Sequence, residues 1–116
     1  STVDTKGMVN ADAFASVKDG AVFLNLGRGL VVDEEAMIKA LKSGKLKGAA
    51  LDVFIEEPLP EDNELWELDN VLISPHNMDQ TSTFMHEATE FFVNENLPRF
   101  VCKEELLNPV DKVAGY

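Results

Sequence analysis

Three short apolar runs most constrain what this chain can become: "AVFLNL" from Ala21 to Leu26, "GAALDV" from Gly48 to Val53 and "NVLIS" from Asn70 to Ser74. The first is continuous rather than alternating, which is the signature of a strand buried on both faces. Helical patterns separate the runs. A short helix is expected over Ala11–Val17, with Asn10 or Asp12 as its cap and Lys18-Asp19-Gly20 as its exit. A second helix starts after Asp33, with Glu34 and Glu35 suited to its positive N-terminal end. Met37, Ala40 and Leu41 share one of its faces, and Ser43-Gly44 ends it. Strands alternating with helices imply right-handed crossovers and a mostly parallel sheet, an α/β layer architecture.

Between the second and third strands lies "IEEPLPEDNELWELD", too rich in proline and acid to be core except near Leu65, Trp66 and Leu68. From Thr81 a long helix is expected to run towards Leu97, with Phe84, Ala88, Phe91 and Phe92 as a stripe of helical period and Pro98 ending or kinking it. The 116 residues suffice for one domain with a modest core. Ten basic residues against 21 acidic ones leave a net charge of −11, which argues against nucleic acid or an anionic membrane as a general partner. No apolar run is long enough to span a bilayer as a helix, and the opening residues show no targeting signal, so a cytoplasmic location is the default expectation. The lone Cys102 can form no internal disulfide, and no Cys/His cluster shows metal-ligand spacing. The opening "STVDT", without an initiator methionine, reads as the start of a fragment.

Ligands of open parallel sheets bind beyond the carboxyl ends of the strands. The first strand ends into Gly27-Arg28-Gly29, the second ends at Asp52 and leads to Glu56-Glu57, and the third ends into Pro75-His76. Arg28 offers a planar fork of donors for a carboxylate or phosphate, though a surface arginine in a glycine turn is equally consistent with a lone G-R-G. His76 beside a carboxylate, with Glu57 as the candidate partner, would form a general acid/base. Taken singly, His76 reads equally as a structural histidine, Glu57 as a solvated acid, and Asp52 as a turn cap. His86 is expected on the surface of the long helix. No nucleophile elbow and no phosphate loop is present, so a proton-transfer set without a nucleophile points to chemistry shared with a cofactor, and hydride transfer fits.

The joint occurrence of N-x-x-R-G, the G-A-x-L-D-V-F strand, E-P and the P-H after N-V-x-I resembles the C-terminal signature region of the D-isomer-specific 2-hydroxyacid dehydrogenases. That family includes phosphoglycerate dehydrogenase and hydroxypyruvate/glyoxylate reductases. The resemblance runs from about Thr2 to the long helix after His76. It implies the second half of a Rossmann-like NAD(P)-binding domain over residues 1–80, and a crossover helix and tail returning to the substrate domain over 81–116. It implies NAD or NADP as cofactor, a 2-oxo or 2-hydroxy acid as substrate, and a homodimer. Carried over residue by residue, it makes Arg28 the binder of the substrate carboxylate and keto oxygen, His76 the acid/base and Glu57 its partner. Asp52 would hold the nicotinamide carboxamide, with main-chain groups at Leu26 and Gly27 and with Asn77 contributing, while Thr5 would line the cofactor cleft.

The residues after His76, Asn77-Met78-Asp79-Gln80, replace the small glycine- or alanine-containing turn common in the family and mark a divergent subgroup. The family's GxGxxG turn, ribose-binding acid and most of its substrate domain precede the region matched. The 116 residues alone are therefore expected not to turn over. A rival reading is a non-catalytic, corepressor-like or structural module of the same fold, and joint retention of Arg28, Glu57 and His76 favours catalysis.

Overall fold

The computed structural model describes residues 1–115, and the chain divides into two units, Ser1–Met78 and Asp79–Tyr116. The first unit contains α1 (Ala11–Ser16), β1 (Ala21–Asn25), α2 (Glu34–Lys42), β2 (Leu46–Leu51) and β3 (Val71–Ile73), with 3-10 turns at Gly29–Val31 and Glu64–Glu67. The strands form a parallel sheet in the order β1-β2-β3. The expected α/β alternation is thus present, and the capping chemistry explains its helix boundaries. Asn10 accepts from the Ala13 N–H, and Asp33 accepts from the Ala36 N–H at 3.0 Å, each satisfying a donor that a helix start leaves unpaired. Beyond α2, Gly44 takes φ +77°, a left-handed conformation that glycine reaches without a Cβ clash.

One face of the sheet carries the core. Phe23, Ala49, Leu51, Val71 and Ile73 point to the same side because alternate strand residues do. Against them pack Ala36, Met37, Ala40 and Leu41 of α2 and Phe14 of α1, whose ring meets Phe23 edge-to-face at 5.3 Å. Leu46 and Leu65 are each 1 % exposed and belong to the same core. The opposite face is open, with Val22, Leu24 and Leu72 exposed. Within this chain the run expected to be buried on both faces is covered on the side of α1 and α2. A continuous apolar run reports strand character, whereas coverage depends on what packs against it. In the acidic loop Leu65 is buried as expected and Leu68 packs at the core edge, but Trp66 is half exposed and donates its ring N–H to the Pro60 carbonyl.

The second unit is one helical run: α3 (Phe84–Phe91), a π-helical turn (Phe92–Asn96) and α4 (Leu97–Cys102). The helix starts three residues later than expected, where the Thr81 hydroxyl accepts from the Phe84 N–H. It also continues past Pro98. The π turn ahead of the proline, with the Leu97 N–H donating to the Phe92 carbonyl, shifts the hydrogen-bond register just where proline lacks a donor. The run ends at Lys103, in a left-handed conformation. Phe84, Phe91 and Phe92 are exposed, and His86 lies on the surface beside Glu90. No helix among the described residues is long and apolar enough to cross a membrane.

Candidate active site

Each strand of the sheet delivers one part of the site at its C-terminal end. After β1 the Asn25 side chain shapes the turn: its Oδ1 accepts from the Gly27 N–H at 3.1 Å and its Nδ2 donates to the Arg28 carbonyl at 3.2 Å. Arg28 is exposed and donates from Nη1 to the Gly27 carbonyl at 2.7 Å. Gly29 is buried against the main chain of Phe54. A Cβ at Gly29 would lie 1.9 Å from the Phe54 carbonyl carbon, so only glycine allows the two segments to meet. A Cβ at Gly27 would meet only Asn25 Oδ1, at 3.6 Å.

After β2, Asp52 is 1 % exposed. Its Oδ1 accepts from the Ser74 hydroxyl at 2.5 Å and the Asn77 N–H at 3.1 Å, and its Oδ2 accepts from the Met78 N–H at 2.9 Å. Those bonds hold the carboxyl below its ordinary range, the Ser74 hydroxyl contributing most, against the opposing effect of burial. Further along, Glu57 Oε1 accepts from the Phe54 N–H at 2.9 Å while Oε2 lies 2.7 Å from His76 Nδ1. The hydrogen bond with His76, then that from Phe54, and more weakly the charge of Arg28 lower the pKa of Glu57. His76 itself sits at φ +50°, unusual for a non-glycine residue.

Arg28, Glu57 and His76 line one surface cavity of about 310 Å³ together with Leu30, Phe54 and Ile55. On another side the Glu57–His76 pair borders a cavity of about 570 Å³ walled by Phe54, Leu59, Trp66 and Ile73. Apolar walls lower the local dielectric and strengthen such a pair. Engagement of Nδ1 by the carboxylate leaves Nε2 as the ring nitrogen free to exchange a proton with a ligand. The arrangement can therefore clamp an anion with Arg28 and transfer a proton beside it.

The other candidate positions are less engaged. The Thr5 hydroxyl is within hydrogen-bonding distance of the Thr2 main chain and hydroxyl, so its bonds are local. Leu26 is exposed next to the Gly27 turn, and Asn77 gives its main-chain N–H to Asp52. Asn25 opens the N-x-x-R-G motif without a role assigned to it there, and Ser74 lies outside the motifs, although an Asn or Ser closing an apolar run is a signal for turn-shaping side chains.

Both Glu57 and Asp52 have depressed folded-state values, so their stabilisation is complete above the ordinary 4.5 and 3.8 and is lost as pH falls through the folded values. We expect the thermal midpoint to fall with acidification below about pH 4.5, and Glu57→Gln to flatten that slope. An identical slope in the variant would remove Glu57 from the acid response.

The parallel α/β sheet, with an arginine and a carboxylate-paired histidine at its C-terminal edge, is that of a Rossmann-type domain. The chain belongs to the D-isomer specific 2-hydroxyacid dehydrogenase family: the model of the family's NAD binding domain matches residues 1–77. It is 38 % identical over 115 residues to glyoxylate/hydroxypyruvate reductase A of Citrobacter koseri, covering 99 % of this chain and 36 % of that protein. The fold superposes on a D-isomer specific 2-hydroxyacid dehydrogenase from Xanthobacter autotrophicus in complex with NADPH and MES, with a TM-score of 0.88 and 43 % identity, covering 100 % of this chain and 47 % of that one. It also superposes on the NADPH-dependent glyoxylate/hydroxypyruvate reductase of Sinorhizobium meliloti in complex with NADP and sulfate, with a TM-score of 0.85 and 40 % identity, over 100 % of this chain and 37 % of that one. The chain spans about a third of the length of the curated relatives it matches.

Proposed function

We propose that this chain is part of an oxidoreductase that transfers a hydride between NAD(P)H and a small 2-oxo or 2-hydroxy acid. The observation that carries the reading is the convergence of Arg28 and the Glu57–His76 pair on one cavity. Arg28 binds the substrate carboxylate through its guanidinium fork and orients the neighbouring carbonyl, which removes the entropy cost of a chance encounter. His76 donates a proton from Nε2 to the carbonyl oxygen in reduction and takes it back in oxidation. Glu57 fixes the ring through Nδ1 and stabilises the imidazolium. When bound, the nicotinamide supplies or accepts the hydride.

The donor set at the strand ends fits that cofactor. Asp52 at the end of β2 is assigned to the nicotinamide carboxamide, and the turn at Leu26 and Gly27 presents main-chain groups with little side-chain obstruction. Asn77 adjoins them, and Thr5 is assigned to the wall of the cofactor cleft. Residues 1–80 are read as the second half of the dinucleotide-binding domain. Residues 81–116 are read as the crossover helix and tail that return to the substrate domain, in a homodimer.

The test is reduction of glyoxylate, hydroxypyruvate and a panel of longer 2-oxo acids by the full-length protein with NADH or NADPH, followed by loss of the reduced-cofactor absorbance. Arg28→Ala should lower kcat/KM by about tenfold to a hundredfold, the range expected for losing charge-assisted hydrogen bonds, mostly through KM for the oxo acid. No turnover with any 2-oxo acid would refute the activity, and an unchanged KM in Arg28→Ala would refute the clamp.

A further inference from the structure

Ser74 is two residues before His76 and borders the larger cavity with it, and its hydroxyl donates to a carboxylate that is almost fully buried. Around that carboxylate the chain from Ser74 to Met78 closes like a clasp. The Ser74 hydroxyl enters at one end and the Asn77 and Met78 N–H groups at the other. The Ser74 main-chain N–H is itself tied to the Leu51 carbonyl, and the Asp52 N–H to the Asn25 carbonyl, so the clasp is fastened to β1 and β2. His76 is the residue at the crest of this turn, held at φ +50°.

We infer that Ser74 and Asp52 act as a pair of positioning residues, closing the turn around the Asp52 carboxylate so that the His76 imidazole is presented to Glu57 beside Arg28. The inference rests on the acid/base reading of His76, but the clasp itself makes claims that do not depend on activity. A carboxylate accepting three hydrogen bonds in a buried setting has little freedom to move, and a side chain carried on the turn inherits that rigidity. Deleting the hydroxyl removes one of the three acceptor contacts and leaves the two amides on a carboxylate no longer pinned from the strand side. His76 then spends part of its time away from Glu57.

The experiment compares the full-length protein with Ser74→Ala and Ser74→Thr, the second retaining a hydroxyl. Amide exchange at Asn77 and Met78 should accelerate about tenfold in Ser74→Ala, the size expected for losing one hydrogen bond to a charged group. Exchange at Ala49, inside β2, should stay unchanged. The His76 ring resonance should broaden or shift towards that of free histidine, and kcat for 2-oxo acid reduction should fall about tenfold with the oxo acid KM within about twofold. Ser74→Thr should restore all four readouts. Unchanged exchange and an unchanged His76 resonance in Ser74→Ala would overturn the clasp whether or not the protein reduces 2-oxo acids. Faster exchange with an unmoved His76 resonance would overturn its positioning role. A wild-type protein without reductase activity would instead refute the functional reading, and the exchange and resonance arms would still decide the clasp.

Discussion

Replacing His76 with alanine is expected to lower kcat for 2-oxo acid reduction by the full-length protein by roughly a hundredfold to ten-thousandfold, the usual contribution of a positioned general acid/base. The imidazole is placed for that exchange, because Glu57, held in its ionised form by its two hydrogen bonds, engages Nδ1 and leaves Nε2 towards the cavity. Without it the developing alkoxide must take a proton from water. Binding should survive, since the carboxylate clamp is on a different turn, so the oxo acid KM should change far less than kcat. Glu57→Gln should have a smaller effect on kcat, because an amide still contacts Nδ1 but no longer stabilises the imidazolium. Steady-state kinetics of both variants check the prediction. A His76→Ala protein with wild-type kcat would remove this residue from the chemistry.

The second large effect is structural. Gly29→Ala should destabilise the domain by about 3 kcal/mol or more, the upper end of overpacking penalties. Its new methyl would sit 1.9 Å from the Phe54 carbonyl carbon and 2.0 Å from its oxygen. Both are main-chain atoms, and Phe54 is fixed from the other side by Glu57 accepting its N–H, so no flexible side chain can yield. Separation of the two segments would also draw Arg28 away from the Glu57–His76 pair. Gly27→Ala provides the control: its methyl would meet only Asn25 Oδ1 at ordinary contact distance, and the change should stay within about 0.5 kcal/mol, as for an unobstructed surface position. Denaturation midpoints of the two variants test this. Equal stability would mean that the contact between Gly29 and Phe54 is not as close as described.

The order of helices and strands was legible because it rests on local signals. The apolar runs marked the strands, Asp33 followed by two glutamates marked the start of α2, and Ser43-Gly44 marked its end. What could not be read depends on neighbours distant in the chain. Val22 and Leu24 look like core residues, yet among the described residues both are exposed. Pro98 looks like a helix terminator unless the preceding turn changes hydrogen-bond register, and no composition rule announces a π turn. Within the site, Arg28, Glu57 and His76 stood out at strand ends and through family resemblance. Ser74 did not, because its partner is 22 residues earlier in the chain and only folding brings the two together. Asn25 stands in the N-x-x-R-G motif, but its role shows only in the fold, where it holds the arginine-bearing turn through both Oδ1 and Nδ2.

Glu57 has two attachments, one oxygen on the Phe54 main chain and the other on the His76 ring. On the proposed function, a substitution there would alter loop shape and proton chemistry together. Leu30 and Ile55 line the same cavity without a side-chain hydrogen bond to the pair, so on that reading substitutions there would change the cavity wall and leave the Glu57–His76 contact in place.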